Sequence, residues 1–124
     1  MMFKNLILVF IGGGLGSSLR YVISKYLNAS SLLPYGTFLV NIIGSLILGI
    51  ILGWAIRSNA LNNSTNMLLG VGFCGGFTTF STFSFENYSL IKTGDYLSFS
   101  VYFFGSLVLG VLAVLIGILI SKLI

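Results

Sequence analysis

Four long apolar stretches run through the chain, and each is long enough to cross a lipid bilayer as a helix. A spanning helix needs about 20 largely apolar residues, and the stretches cover about residues 4–26, 36–56, 66–91 and 96–121. The polar breaks between them are too short to hold a second domain. The sequence therefore predicts an all-α integral membrane protein with four transmembrane helices in a single domain, residues 1–124.

The composition argues against the common soluble classes. Only 6% of the 124 residues are charged and 56% are hydrophobic, whereas a soluble domain carries about 25% charged residues. The basic residues are scattered rather than clustered, so they form no nucleic-acid footprint. The chain has no histidine and a single cysteine, Cys74, which removes the commonest general base and any intrachain disulfide. We therefore expect that the protein is not an enzyme and does not bind nucleic acid.

The positive charges predict no preferred orientation in the membrane. With four spans, both termini and the second loop share one side, and the first and third loops share the other. Each side carries three basic residues: Lys4, Arg57 and Lys122 on one, Arg20, Lys25 and Lys92 on the other. The positive-inside rule therefore gives no bias. A chain without bias can insert both ways and form an antiparallel homodimer, which supplies eight helices for a pore.

Small residues recur at four-residue spacing along the predicted helices. In lipid, such positions allow two helix backbones to approach closely. The pairs are Gly12 and Gly16, Gly49 and Gly53, Gly72 and Gly76, and Ser106 and Gly110. We expect these positions to hold the bundle together.

The third stretch contains a segment that is unfavourable for a continuous helix, residues 75–79 (Gly-Gly-Phe-Thr-Thr). Glycine costs about 1 kcal/mol relative to alanine inside a helix. We therefore expect the third helix to be broken near its middle. Freed carbonyls in hydrocarbon must meet protein, water or a cation. A buried cation is one interpretation, and a glycine kink that only eases packing is the other.

Two phenylalanines follow this segment, Phe80 and Phe83, and their spacing places them on one face of a helix with Phe77 one turn earlier. Hydroxyl side chains interleave with the rings, at Thr78, Thr79, Ser81, Thr82 and Ser84. The edge of a phenylalanine ring is positive and attracts a small anion. The face therefore predicts the lining of an anion path, while apolar packing is the alternative.

Five further polar residues lie inside or beside the predicted spans. Asn41 is either an interhelical hydrogen-bonding group or a donor to a passing anion. Tyr102 and Ser106, one turn apart, either extend a polar track or bond between helices. Arg20 either reaches the interface or draws anions toward a vestibule. Glu86 is a functional candidate because it is an intramembrane carboxylate, and a capping or ion-pair role is its alternative.

Three motifs carry a resemblance to a known family. They are the run Gly12-Gly13-Gly14-Leu15-Gly16-Ser17-Ser18-Leu19-Arg20-Tyr21, then Gly36-Thr37 with Asn41 and Gly44, then Gly75-Gly76-Phe77-Thr78-Thr79-Phe80-Ser81-Thr82-Phe83-Ser84 with Glu86. On these residues the chain resembles the Fluc (CrcB) family of fluoride channels over nearly its whole length. Ser17 stands where the family usually has alanine, which is a change between small residues.

The resemblance implies a dual-topology antiparallel homodimer in the plasma or inner membrane, with two pores that export fluoride passively from the cytoplasm. It implies that the ring edges of Phe80 and Phe83 face the ion, with Asn41 as a nearby donor. It also implies that the backbone carbonyls of Gly75 and Thr78 bind a structural sodium ion (Na+) on the dimer axis.

The resemblance further implies a polar track along each pore and a basic residue at its mouth. The track would consist of Ser81, Thr82, Tyr102 and Ser106. Arg20 would lie by the vestibule.

Two other functions fit part of the sequence. A proton-coupled small multidrug exporter also has four short helices, but it needs a carboxylate deep in a span, whereas Glu86 lies one to two turns from a helix end. A structural or lesion-forming membrane protein accounts for the small-residue packing but not for the Phe/Ser/Thr face. The sequence favours the fluoride channel.

Overall fold

The computed structural model describes residues 1–29 and 33–124, and within them the regular structure is entirely helical. Helix α1 is Met2–Leu27 and α2 is Tyr35–Arg57. The third stretch begins as a π-helix, Asn66–Cys74, which continues into a short α-helix, α3, Gly75–Phe77. It resumes as α4, Ser81–Lys92, and the chain closes with α5, Tyr96–Ser121.

The predicted all-α architecture with four spans is confirmed. Among residues 1–29 and 33–124, four helical stretches are long and apolar enough to cross a membrane. Their ends lie within two residues of the predicted ones, because hydropathy and the polar breaks are local properties of the sequence. Most of their large apolar side chains remain exposed on the surface of the chain, as lipid contact requires.

The four stretches alternate in direction and pack as two parallel pairs. In one pair, α2 lies against α5 with Gly49 and Gly117 at the crossing, where a Cβ on Gly117 would come within 3.0 Å of the Gly49 Cα. At the end of this pair, Arg57 donates to the carbonyl oxygen of Ser121 at 2.5 Å. A guanidinium at two helix C-termini is favourable because the helix dipoles are negative there.

In the other pair, α1 lies along the π-helix and α3. A Cβ on Gly12 would approach the amide nitrogen of Phe73 to 2.8 Å, and a Cβ on Gly16 would approach that of Phe77 to 2.8 Å. The close packing predicted for three of the small-residue pairs is thus present. For the fourth pair no such contact is present among residues 1–29 and 33–124, because a Cβ on Gly110 would meet no atom within 4 Å.

The helical hydrogen bonding of the third stretch is interrupted at residues 78–80. Thr78 is extended, with φ −90° and ψ 159°, and α4 begins three residues later. The interruption overlaps the C-terminal part of the predicted break, residues 75–79, at Thr78 and Thr79, while Gly75 and Gly76 stay helical. Gly76 lies directly against the backbone of Gly13 in α1, so its missing side chain serves helix packing rather than an irregular conformation.

Candidate functional site

An open cleft of about 370 Å³ lies at the interruption, between α2, α4 and α5. Its walls bring together residues that are far apart in sequence. They are Asn41, Ser45 and Leu48 of α2, Gly75, Thr78, Thr79, Phe80 and Phe83 of the third stretch, and Ser106, Leu107 and Gly110 of α5. Six predicted site residues therefore line one cleft: Asn41, Gly75, Thr78, Phe80, Phe83 and Ser106.

Asn41 holds the interrupted backbone in place. Its Nδ2 donates to the Thr79 carbonyl at 3.1 Å, and its Oδ1 accepts from the Thr79 amide at 2.8 Å. This pair of bonds replaces helical hydrogen bonds that the interruption removes. The interhelical role, one of the two alternatives for Asn41, is present in the structure, and the second Nδ2 hydrogen remains available to another acceptor.

Arg20 forms a hydrogen bond to a backbone carbonyl directly before the interruption. Its Nε donates to the Gly76 carbonyl at 2.9 Å, and the Ser17 hydroxyl lies 3.4 Å from the same oxygen. The side chain is half-buried and points to the C-terminal end of α3, where a cation is favourable. Arg20 is therefore hydrogen-bonded to the third stretch directly before the interruption.

The Thr79 hydroxyl accepts a hydrogen bond at the start of α4. Its Oγ1 accepts from the amide of Thr82 at 3.2 Å and lies 3.3 Å from the Ser81 hydroxyl. A hydroxyl that accepts from the first turn is the usual way to satisfy helix-terminal amides. Ser81 and Thr82, both predicted for the polar track, thus lie at the start of α4, outside the set that lines the cleft.

The two phenylalanine rings have opposite environments. Phe83 is 4% exposed, whereas Phe80 is 75% exposed, and their ring centroids are 6.1 Å apart at an interplanar angle of 42°. Phe77 does not continue this row, because the interruption turns it away and it stacks on Phe73 at 5.4 Å. Phe80 therefore presents its ring to whatever covers the open side of the cleft.

Tyr102 links the buried phenylalanine to a carboxylate. Its ring lies 5.1 Å from that of Phe83, and its hydroxyl donates to Glu86 Oε1 at 2.7 Å. The other carboxylate oxygen accepts from the Thr37 hydroxyl, also at 2.7 Å. Both oxygens of Glu86 are therefore held by hydroxyl donors rather than by a cation.

Two residues of this network were absent from the predicted site. Thr37 accepts from Asn28 Nδ2 at 3.2 Å, and Asn28 Oδ1 in turn accepts from the Gly36 amide at 2.7 Å. Asn28, at the C-terminal end of α1, thereby satisfies a backbone amide at the start of α2. The Gly36-Thr37 pair was a sequence signal, but its link to Glu86 depends on how α2 packs against α4.

A second cleft of about 340 Å³ opens next to this network. Its lining contains Asn28, Pro34, Phe85, Glu86, Ser89, Leu90 and Thr93. Phe83 lines the first cleft and Glu86 lines the second, and Tyr102 contacts Phe83 through its ring and Glu86 through its hydroxyl. Ser106 follows one turn after Tyr102, and its Oγ is buried without a hydrogen-bond partner among residues 1–29 and 33–124. The polar groups therefore form a discontinuous row from one cleft to the other.

Comparison with known proteins gives the same family over almost the full chain. The family model described as "CrcB-like protein, Camphor Resistance (CrcB)" matches residues 7–118. The chain is 48% identical to the fluoride-specific ion channel FluC of Phocaeicola vulgatus, over 96% of this chain and 99% of that protein. It is 41% identical to FluC of Oceanobacillus iheyensis, over 93% and 89%, and 37% identical to FluC of Pyrococcus furiosus, over 96% and 97%. The chain thus belongs to the CrcB-like protein family.

Proposed function

We propose that this protein is a fluoride-selective channel of the plasma membrane that exports fluoride passively from the cytoplasm as a single multi-pass domain. The observation that carries the proposal is the cleft in which Asn41, Phe80, Phe83 and Ser106 converge at the interruption of the third span. The fluoride-specific relatives, similar over nearly their whole length, support the choice of ion.

The chemistry of the cleft suits a small and strongly hydrated anion. A channel must replace the water of the ion and still release it quickly. Amide, hydroxyl and ring-edge groups are neutral donors of positive potential, so they stabilise fluoride without the tight hold of a fixed cation. Arg20, the nearest guanidinium to the interruption, is bonded to Gly76. Arg20 is not among the residues that line the cleft, so the neutral donors, rather than a fixed cation, would contact the ion there.

The outward direction of transport needs no energy source other than the membrane potential. An interior-negative potential is worth about 2.3 kcal/mol per elementary charge per 100 mV, and this drives an anion outward. Export of this kind lowers intracellular fluoride and so protects the cell from its toxicity.

The open cleft supports a homodimer. Phe80 is 75% exposed and lines the open cleft, so a second copy packed on this surface would enclose both the ring and the cleft. The balanced charges of the two membrane sides favour an antiparallel arrangement. Such a dimer has two equivalent clefts, and we propose that each becomes one pore.

The carbonyl groups at the interruption fit a bound sodium ion. Thr79 N–H donates to Asn41 and Thr82 N–H donates to Thr79 Oγ1, so the Gly75 and Thr78 carbonyls lose their helical donors. Neither carbonyl oxygen accepts a hydrogen bond from residues 1–29 or 33–124. A Cβ on Gly75 would meet no atom within 4 Å, so this edge is open to a second copy. Sodium would supply the positive charge that holds these carbonyls together.

Sodium is expected to stabilise the dimer. A ligand that binds only the folded dimer adds about 2.7 kcal/mol at a concentration a hundred times its Kd. The purified protein should therefore melt at a higher temperature in sodium chloride than in N-methyl-D-glucamine chloride of the same ionic strength. Equal melting temperatures and equal dimer fractions in the two salts would contradict the sodium site.

The deciding experiment for the function is ion efflux from liposomes that contain the purified protein. Fluoride and chloride electrodes record release after a potassium ionophore supplies the counter-charge, with empty liposomes as the control. We expect rapid fluoride release and retention of chloride. Equal leakage of both ions would refute the selective channel.

The alternative function that can be tested is a proton-coupled exporter. Glu86 is the carboxylate that such a transporter would need, but both of its oxygens are engaged by Thr37 and Tyr102. Efflux should therefore proceed without a pH gradient. Release that occurs only with a pH gradient would favour the exporter.

A further inference from the structure

Ser45 lines the cleft but is not among the residues that define the proposed fluoride path. It lies on α2 one helical turn beyond Asn41, and both residues contribute to the same cleft wall. The intervening Gly44 touches the interrupted segment, since a Cβ on it would clash with the Thr78 side chain. This part of α2 is therefore pressed against the interruption, which fixes the position of Ser45 relative to Phe80 and Ser106.

The hydroxyl of Ser45 is free to bind something in the cleft. A serine in a helix often donates to the carbonyl four residues earlier, as Ser89 does to the Phe85 carbonyl at 3.1 Å. Across residues 1–29 and 33–124, no hydrogen bond joins Ser45 Oγ to another group. In a membrane interior such a hydroxyl proton is a donor that remains available.

The position of Ser45 matters because the cleft becomes apolar beyond it. The remaining walls in that direction are Leu48, Leu107 and Gly110. An ion that has left the level of Asn41 and Ser106 meets the Ser45 hydroxyl before these apolar residues. A desolvated anion is costly in an apolar environment, so a donor at this point lowers the free energy of the ion where the other donors end.

We infer that Ser45 is a further fluoride-contacting residue, whose hydroxyl donates to the ion between the Asn41–Ser106 level and the Leu48–Gly110 end of the path. The inference rests on the proposed channel function. It extends the polar side of the cleft by one turn of α2.

Flux measurements on three variants test this role. In Ser45→Ala, which removes the donor at almost constant volume, fluoride efflux should fall about three- to tenfold, the range expected for one lost hydrogen bond. Ser45→Thr keeps the hydroxyl and should stay within about twofold of the wild type. Ser100→Ala, an exposed serine on α5, is the matched control and should equal the wild type. Dimer elution and melting temperature are measured for all three.

The outcomes separate this inference from the function on which it rests. Wild-type efflux with an unchanged Ser45→Ala rate would overturn the role of Ser45 alone. Equal losses in Ser45→Ala and Ser45→Thr, with the dimer intact, would also overturn it, because they would indicate a steric effect rather than a donor. Absence of fluoride efflux from the wild type would refute the channel itself and this inference with it.

Discussion

Replacing Phe80 by isoleucine is expected to cut fluoride efflux by at least about tenfold, which corresponds to about 1.4 kcal/mol, while the folded dimer persists. The ring is 75% exposed on the single chain, so its loss removes little packing within the subunit. Isoleucine keeps the apolar character but has no ring edge to present to an anion. The measurement is fluoride efflux from liposomes, together with size-exclusion chromatography of the variant.

Phe85→Ile is the matched control for this prediction. Phe85 also lies in the third stretch and is 67% exposed, but its ring neighbours Tyr88 at 6.3 Å and lines the second cleft rather than the cleft that holds Asn41 and Phe80. Its substitution should leave efflux near the wild-type rate. Wild-type efflux from Phe80→Ile would show that this ring only packs against its surroundings. Equal losses in both variants would indicate a general effect of removing a ring from the third stretch.

The second large effect concerns the fold rather than the ion. Gly16→Val is expected to reduce the yield of folded protein sharply, because the new Cβ would come within 2.8 Å of the Phe77 amide nitrogen. Overpacking typically costs about 1–3 kcal/mol, and here the opposing atoms are backbone atoms that cannot rotate away. A shift of α3 against α1 would also move the Gly76 carbonyl away from Arg20.

Gly14→Val separates this clash from a general effect of valine in α1. A Cβ on Gly14 would meet nothing within 4 Å, so its substitution should be tolerated. Melting temperature and monodispersity in detergent are compared for the two variants and the wild type. Similar melting temperatures for Gly16→Val and Gly14→Val would contradict the close contact between α1 and the third stretch.

These predictions concern different parts of one arrangement. Gly16 and Gly76 allow α1 to reach the third stretch, and Arg20 and Asn41 then bind the interrupted backbone from two sides. Because this backbone is fixed, Phe80 is directed outward and Phe83 inward. The proposed pore therefore depends on helix contacts made several residues away from any ion.

The sequence by itself determined the features that depend on local composition. Apolar length gave the four spans to within two residues of their ends. The unusual residue types around Phe80 and Phe83 indicated a lined path, and the three motifs indicated the family. These properties are local because each depends only on the residue types within one stretch of the chain.

Only the tertiary structure decided where the third helix is interrupted and which groups satisfy it. The predicted break included Gly75 and Gly76 because of their low helix propensity, yet both are helical, with Gly76 packed against Gly13, and the extended residue is Thr78. The bonds from Asn41 to Thr79 and from Thr37 to Glu86 join residues 38 and 49 positions apart. Such pairings depend on the register between packed helices, which no single stretch of sequence specifies.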